Sequence, residues 1–467
     1  MKKERSCTSR RQFIKTGITG ISGLLLLGGC GITSSGREPS SLTLVCMADL
    51  HSATDKMARI LPLVKSLASQ EEAVIVLING DVFERHPVSL SSGVAAERDF
   101  LRQLSALAPV FLNAGNHEGA VSDDMREVAQ QMETDGVQFI SNMREISGGE
   151  PLAPPVVHRE VNGVRFSVVG IATDDLSTYR AIHNERWAVP EAFAYAAEEL
   201  PGLWRNGRLN ILMDHDGVLS DRAVFPTLPK PALLLGGHDH LRFITEQDQR
   251  LALHTGSYGE TVDIVRFQID GNSAAYEIES ITINDNLPAD AAFLAMAKAL
   301  EETHLPENLK EIVAANSAIA TQTALMKRMA AWLRESCGTD AAALNNTTFG
   351  AAMPLGEVRL FDVQRSIRFD GNMWIATLSG SDLITLRNKA NQFELDSWEG
   401  STGEYVAGSF PETINPGQTY TLAVNGWVAV GTPFNQMRFL GSEGHAFTQA
   451  DPPVMIRQTL ITNLNQP

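Results

Sequence analysis

From residue 42 onward, short β-branched or leucine-rich runs alternate with amphipathic stretches, and most of the runs end in a turn carrying an acid or a histidine. The runs at 42–48, 73–79, 110–113, 164–172, 209–213 and 232–235 have the length and composition of buried strands. Between several of them, residues 55–70 and 95–107 repeat apolar positions at helical spacing. Strands interleaved with helices predict an α/β domain. Two further runs, 261–269 and 274–283, flank Asp270-Gly271-Asn272 and predict a closing hairpin near residue 285.

The rest of the chain changes character. Residues 288–335 are rich in Ala, Leu, Glu and Lys with a break at Pro306, which predicts a helical connection over 286–338. Strand and turn signals return over 339–467, punctuated by Gly350, Gly371, Gly408 and Pro416, and predict a smaller α+β domain. A chain of 467 residues with 43% hydrophobic content has room for two or three cores. Its four cysteines exclude a disulfide scaffold, and Cys46, inside an apolar strand, reads as a buried free thiol. The 38 basic and 55 acidic residues leave a formal charge of −17, a field that repels phosphate backbones and argues against nucleic acid as a partner.

The first residues read as an address. Arg10-Arg11 precedes Phe13 and an apolar run from Gly17 to Gly29, followed by Cys30. That run is short of the roughly 20 residues that span a bilayer. It resembles a twin-arginine export signal over residues 1–29, ending in a lipobox whose Cys30 is acylated. The Gly/Ser/Pro-rich segment up to residue 41 then reads as a tether. The expectation is a periplasmic or cell-envelope lipoprotein, held to a membrane at Cys30.

In chain order the sequence offers Asp49-Leu50-His51, Gly80-Asp81, Gly115-Asn116-His117-Glu118, His215 and Gly237-His238-Asp239-His240. Nearly every member follows an apolar strand, and ligands of open α/β sheets gather beyond the carboxyl ends of strands. Carboxylate, imidazole and amide oxygen without thiolate suit Zn, Mn or Fe. A carboxylate shared between two such cations sets up in-line attack at phosphorus by a hydroxide held between them, and a histidine free of metal serves the leaving oxygen.

This ordered set resembles the calcineurin-like metallophosphoesterases, most closely the two-domain 5′-nucleotidases, strongly over residues 42–285 and weakly beyond. The resemblance implies a sandwich of two sheets flanked by helices, followed by a smaller α+β C-terminal domain. It implies one divalent ion on Asp49, His51 and His240, a second on Asn116, His215 and His238, Asp81 between them, and His117 as the catalytic histidine. The expected activity is hydrolysis of nucleotides or other small phosphoesters. Two rival activities are a thiosulfohydrolase acting on a sulfur ester, and a metal-containing binding or assembly protein that has lost turnover.

Three departures from the family pattern stand out. Gly119-Ala120 occupies the place of the aspartate that orients the histidine, leaving Asp216, Asp123 or Asp124 to compensate. Thr347-Thr348-Phe349-Gly350-Ala351 replaces a glycine-rich element ending in arginine, and Gly431-Thr432-Pro433-Phe434 replaces a second glycine-rich element. Aromatic stacking on a substrate falls to Phe369, Trp427 or Phe434. His86 reads as lying behind the site or in solvent, and His158, His183, His304 and His445 read as surface residues.

Overall fold

A computed structural model describes residues 40–205, 208–270, 273–390, 406–430 and 445–466. The export signal, the tether, Cys30, Phe434 and the turn at Gly271-Asn272 lie outside them. No helix among the described residues is long and apolar enough to cross a membrane.

The strands of the two large sheets in the first part are β1 (Ser40–Ala48), β2 (Val74–Asn79), β3 (Val110–Asn113), β4 (Val137–Ile140), β5 (Val156–Val161), β6 (Val164–Ala172), β7 (Leu209–His215), β8 (Ala232–Gly236), β9 (Arg242–Gln247), β10 (Arg250–Thr255), β11 (Thr261–Asp270) and β12 (Ser273–Thr282). They form two six-stranded sheets, ordered β12-β11-β1-β2-β3-β4 and β9-β10-β8-β7-β6-β5. Strands β1 to β4 are parallel, as are β6, β7, β8 and β10, while the antiparallel hairpins sit at the edges. The expected strands are present within a few residues, and β4, β5 and β9 are additional.

Alternation along each strand divides the core into layers. Leu42, Leu44 and Cys46 of β1 face the second sheet and meet Phe166, Ile211, Leu233 and Leu253. Val45 and Met47 point the other way, onto the helix Thr54–Gln70. That helix buries Met57, Ile60, Leu61, Val64 and Leu67, one stripe at three- and four-residue spacing. The outer face of the second sheet, with Val169, Ile171, Leu212 and Leu234, shares an apolar cluster with Ala341, Ala343, Leu378, Leu422 and Val424. These last residues belong to a five-stranded mixed sheet in the C-terminal part, so the two parts are joined through a hydrophobic layer.

The connecting segment contains the helices Ala291–His304 and Gln322–Cys337 and also a strand, Ile312–Asn316, antiparallel to Gly356–Arg359. Cys46 is a fully buried free thiol and Cys337 a free, partly buried one.

Two asparagines at strand ends stitch the sheets together below the functional rim. Asn79 Nδ2 donates to the carbonyls of Asp214 and Leu235, both at 2.7 Å. Asn113 Nδ2 reaches Asn79 Oδ1, Ile171 O and Met213 O at 2.9, 2.7 and 3.1 Å. All of these groups are buried, so deleting the amide leaves acceptors without water or partner. Asn113→Ala is expected to destabilise the fold by about 2–4 kcal/mol. Denaturant titration should show the midpoint falling with the slope unchanged.

Candidate metal centre and active site

The parallel strands deliver the predicted residues to one rim. Asp49 and His51 follow β1, Gly80-Asp81 follows β2, Asn116 and His117 follow β3, His215 ends β7, and His238 and His240 follow β8. Asp49, His51, Asp81, Asn116 and His215 are buried, and His238 and His240 are partly so. Five of them have left-handed backbones: φ is 52° at Asp49, 44° at His51, 51° at Asp81, 74° at His238 and 58° at His240. Non-glycine residues rarely adopt this conformation, and it gathers at functional sites where the surroundings over-determine it.

Close approach fixes the glycines beside them. A Cβ on Gly115 would collide with Asp81 Oδ1, and one on Gly80, itself at φ 72°, would collide with the His215 ring. Glu118, given no role from the sequence, ties the loops together. Its carboxylate accepts from the backbone N–H of Gly115 at 2.6 Å, of Val82 at 2.8 Å and of Asp81 at 3.0 Å. The His117 N–H donates to Asp81 Oδ1 at 2.8 Å, and the His238 N–H lies 3.1 Å from Asp49 Oδ1.

The nitrogen and oxygen atoms that remain converge. His51 Nε2 and His240 Nε2 are 2.9 Å apart, each facing Asp49 Oδ1, at 4.0 and 3.8 Å. Asp81 Oδ2 lies 3.3 Å from His215 Nε2 and 3.8 Å from His51 Nε2. His238 Nδ1 is 3.2 Å from Asn116 Oδ1. His215 Nδ1 donates to the Asn79 carbonyl at 2.7 Å, which fixes the ring and leaves Nε2 buried with no hydrogen-bond partner. Three groups, Asp49–His51–His240, Asp81–His215–His238 and His51–Glu84–His117, each gather ligand atoms within 4.8 Å of one another.

The electrostatics ask for positive charge at this point. Burial, reinforced by the charge of Asp81, pushes the Asp49 carboxyl up to about 8. Burial also opposes ionisation of Asp81, yet His215, His117 and His51 hold it well below the usual carboxylate range. His215 is driven the other way: burial disfavours its charge, but Asp81 and Asp49 raise it to about 10. Burial and Arg368 lower His51 to about 4, while burial and His215 lower His238 to about 3. Unpaired lone pairs and adjacent buried carboxylates, with no thiolate, fit divalent cations held by N and O ligands.

His117 stands beside this set and lines a cavity of about 700 Å³ together with Asp174, Phe361, Arg368, Phe369 and Trp427. Phe369 and Trp427 are exposed at 52% and 37%, and the Arg368 guanidinium lies 5.3 Å from the centre of the Phe369 ring. The segment at Thr347-Thr348 carries no arginine. Thr348, Asn345 and Asn425 instead form a buried polar network with bonds of 2.7–2.9 Å. Asn346 Nδ2 donates to the carbonyl of Asp239 at 2.7 Å, between the two histidines that follow β8.

His183 and His86 fall where the sequence did not put them. His183, read as a surface residue, is buried, and its Nε2 lies 2.7 Å from the Gly119 carbonyl on the His117 loop. His254 is buried against Asp221 at 2.6 Å and stacked on Phe243. His86 lines the cavity, with Nδ1 accepting from the N–H of Ser89 at 3.2 Å.

Residues 42–242 match the calcineurin-like phosphoesterase family. An uncharacterised metallophosphoesterase of Bacillus subtilis, YunD, is 23% identical over 354 residues, covering 72% of this chain and 75% of that protein. Among solved structures, a 5′-nucleotidase precursor from Thermus thermophilus superposes with a TM-score of 0.58 at 16% identity, covering 91% of this chain and 96% of the other. A sulfate thiohydrolase, SoxB, of Thermus thermophilus gives 0.55 at 15% identity, with coverages of 89% and 80%. A Candida albicans 5′-nucleotidase gives 0.54 at 14%, with coverages of 92% and 99%. These likenesses establish the fold; with the match of residues 42–242 to the calcineurin-like phosphoesterase family and the ligand groups gathered at the rim, the chain is a metal-dependent phosphoester hydrolase.

Proposed function

We propose that this protein is an exported hydrolase that uses two divalent ions, of Mn, Fe or Zn, to cleave nucleotides or other small phosphoesters. The observation that carries the reading is the position of Asp81 Oδ2, between His215 Nε2 at 3.3 Å and His51 Nε2 at 3.8 Å. A carboxylate so placed serves both groups of ligands: Asp49, His51 and His240 on one side, and Asn116, His215 and His238 on the other. When bound, the cations supply Lewis acidity for the phosphoryl oxygens and activate water for attack. The protein's own part is to orient and to move a proton. His117, outside both ligand groups, faces the cavity and serves the leaving oxygen. Phe369 and Trp427 at the rim give an aromatic leaving group surfaces to stack on.

The test is elemental analysis of protein purified without chelators, followed by a panel of nucleotides, other phosphomonoesters, small phosphodiesters and thiosulfate-derived esters. Hydrolysis of phosphoesters with about two ions per chain is the expected result. Turnover of sulfur esters alone would replace the substrate class, and no turnover by metal-loaded protein would leave a binding role. Export and anchoring rest on Arg10-Arg11 and Cys30. Cys30→Ala should move the protein from the membrane fraction to the soluble one.

A further inference from the structure

Glu84 lies three residues beyond Asp81 on the loop after β2, and its carboxylate is shared by two imidazoles. Oε1 is 3.2 Å from His117 Nδ1, and Oε2 is 3.2 Å from His51 Nδ1. Arg368, from the turn after the helix Leu360–Ser366, closes the group: its Nη2 is 3.0 Å from Glu84 Oε2 and 3.0 Å from His117 Nε2. The backbone N–H of Arg85 donates to Oε1 at 2.9 Å. His51 Nδ1, His117 Nδ1 and Glu84 Oε2 have no other hydrogen-bond partner, and a carboxylate facing a guanidinium can only accept, so Glu84 is the acceptor within reach of an Nδ1–H on either ring. That pairing turns His51 Nε2 towards Asp49, Asp81 and His240, and leaves His117 Nε2 facing Arg368 and the cavity.

Asp123 and Asp124, near His117 in sequence, are engaged elsewhere. Asp123 pairs with Arg180. Asp124 caps the helix Met125–Thr134 and pairs with Arg186 at 2.9 Å. Asp216 is held at Oδ1 by the backbone N–H of Asp174 at 2.9 Å. We propose that Glu84 is the positioning residue of His117, supplying from the Asp81 loop the carboxylate that Gly119-Ala120 does not, and that Arg368 fixes Glu84 from the C-terminal part of the chain. The task of His117 rests on the phosphoester reading; the positioning does not.

The experiment compares zinc-loaded wild type with Glu84→Gln, using protein labelled with ¹⁵N-histidine and His117→Asn to assign the ring. Wild type should show a hydrogen-bonded Nδ1–H at His117, and Glu84→Gln should lose it, because the amide turns an N–H towards one of the two rings. Turnover should fall about 10–100-fold with zinc retained, the usual scale for a group that orients a working side chain, and KM should hold. Ala120→Asp alone should leave kcat unchanged but restore part of the loss in Glu84→Ala. Arg368→Ala should lower kcat by a smaller factor, and a change confined to KM would reassign Arg368 to substrate.

A wild-type His117 signal and kcat in Glu84→Gln would overturn the proposal. So would zinc lost in proportion to activity, since Glu84 would then act through His51. If the ring signal moves but wild type hydrolyses no ester, the positioning stands and the phosphoester reading falls.

Discussion

Asp81→Ala is expected to strip the purified protein of metal and reduce ester hydrolysis to background. Two features make this the most damaging single change at the rim. Oδ2 faces both histidine groups, so its loss removes a ligand from each, and any remaining cations repel without the carboxylate between them. Oδ1 also accepts the His117 N–H, so the His117 loop loses an anchor at the same time. His51→Ala, by contrast, should weaken mainly the Asp49–His51–His240 group. Elemental analysis decides the matter: full metal content in Asp81→Ala would falsify the shared position.

His117→Ala should keep its metal and lose turnover on the order of 10²–10⁴-fold, the range for a side chain that moves a proton in the transition state. Elemental analysis and kcat must be measured on one preparation, because the argument lies in their separation. The ring sits 4.7 Å, centre to centre and edge-on, from that of His51, close enough for a disturbed ligand to mimic a lost acid. If metal falls in step with activity, His117 belongs among the ligands.

The sheets are legible in the sequence because a buried parallel strand needs an unbroken apolar run, and Ser40–Ala48, Val74–Asn79 and Leu209–His215 each provide one. The half-exposed strand Arg242–Gln247, with no alternation, gives no such signal. The rim is equally legible, since each ligand type comes directly after a strand whose direction fixes where it ends. Glu84 and Arg368 are not. Glu84 lies in Asp81-Val82-Phe83-Glu84, where an acid shortly past a turn looks like ordinary surface. Arg368 lies outside Thr347-Thr348, the segment that lacks an arginine, although its N–H donates to the Thr348 carbonyl at 2.9 Å, and the turn after Leu360–Ser366 brings its side chain to His117. A local motif encodes the residues at a strand's end and carries no trace of the contacts made by a distant turn.

The left-handed backbone at Asp49, His51, Asp81, His238 and His240 sets stability against function. Each such residue costs of order 1–3 kcal/mol compared with one in an ordinary conformation, and glycine at the same place is largely free of that cost. Glycine at any of these positions would therefore relax the fold locally while deleting the side chain that gathers charge. Selection for a sturdier protein and selection for a working one thus pull in opposite directions at the same five residues. Drift towards glycine there would mark copies of this fold that have kept their shape and abandoned their chemistry.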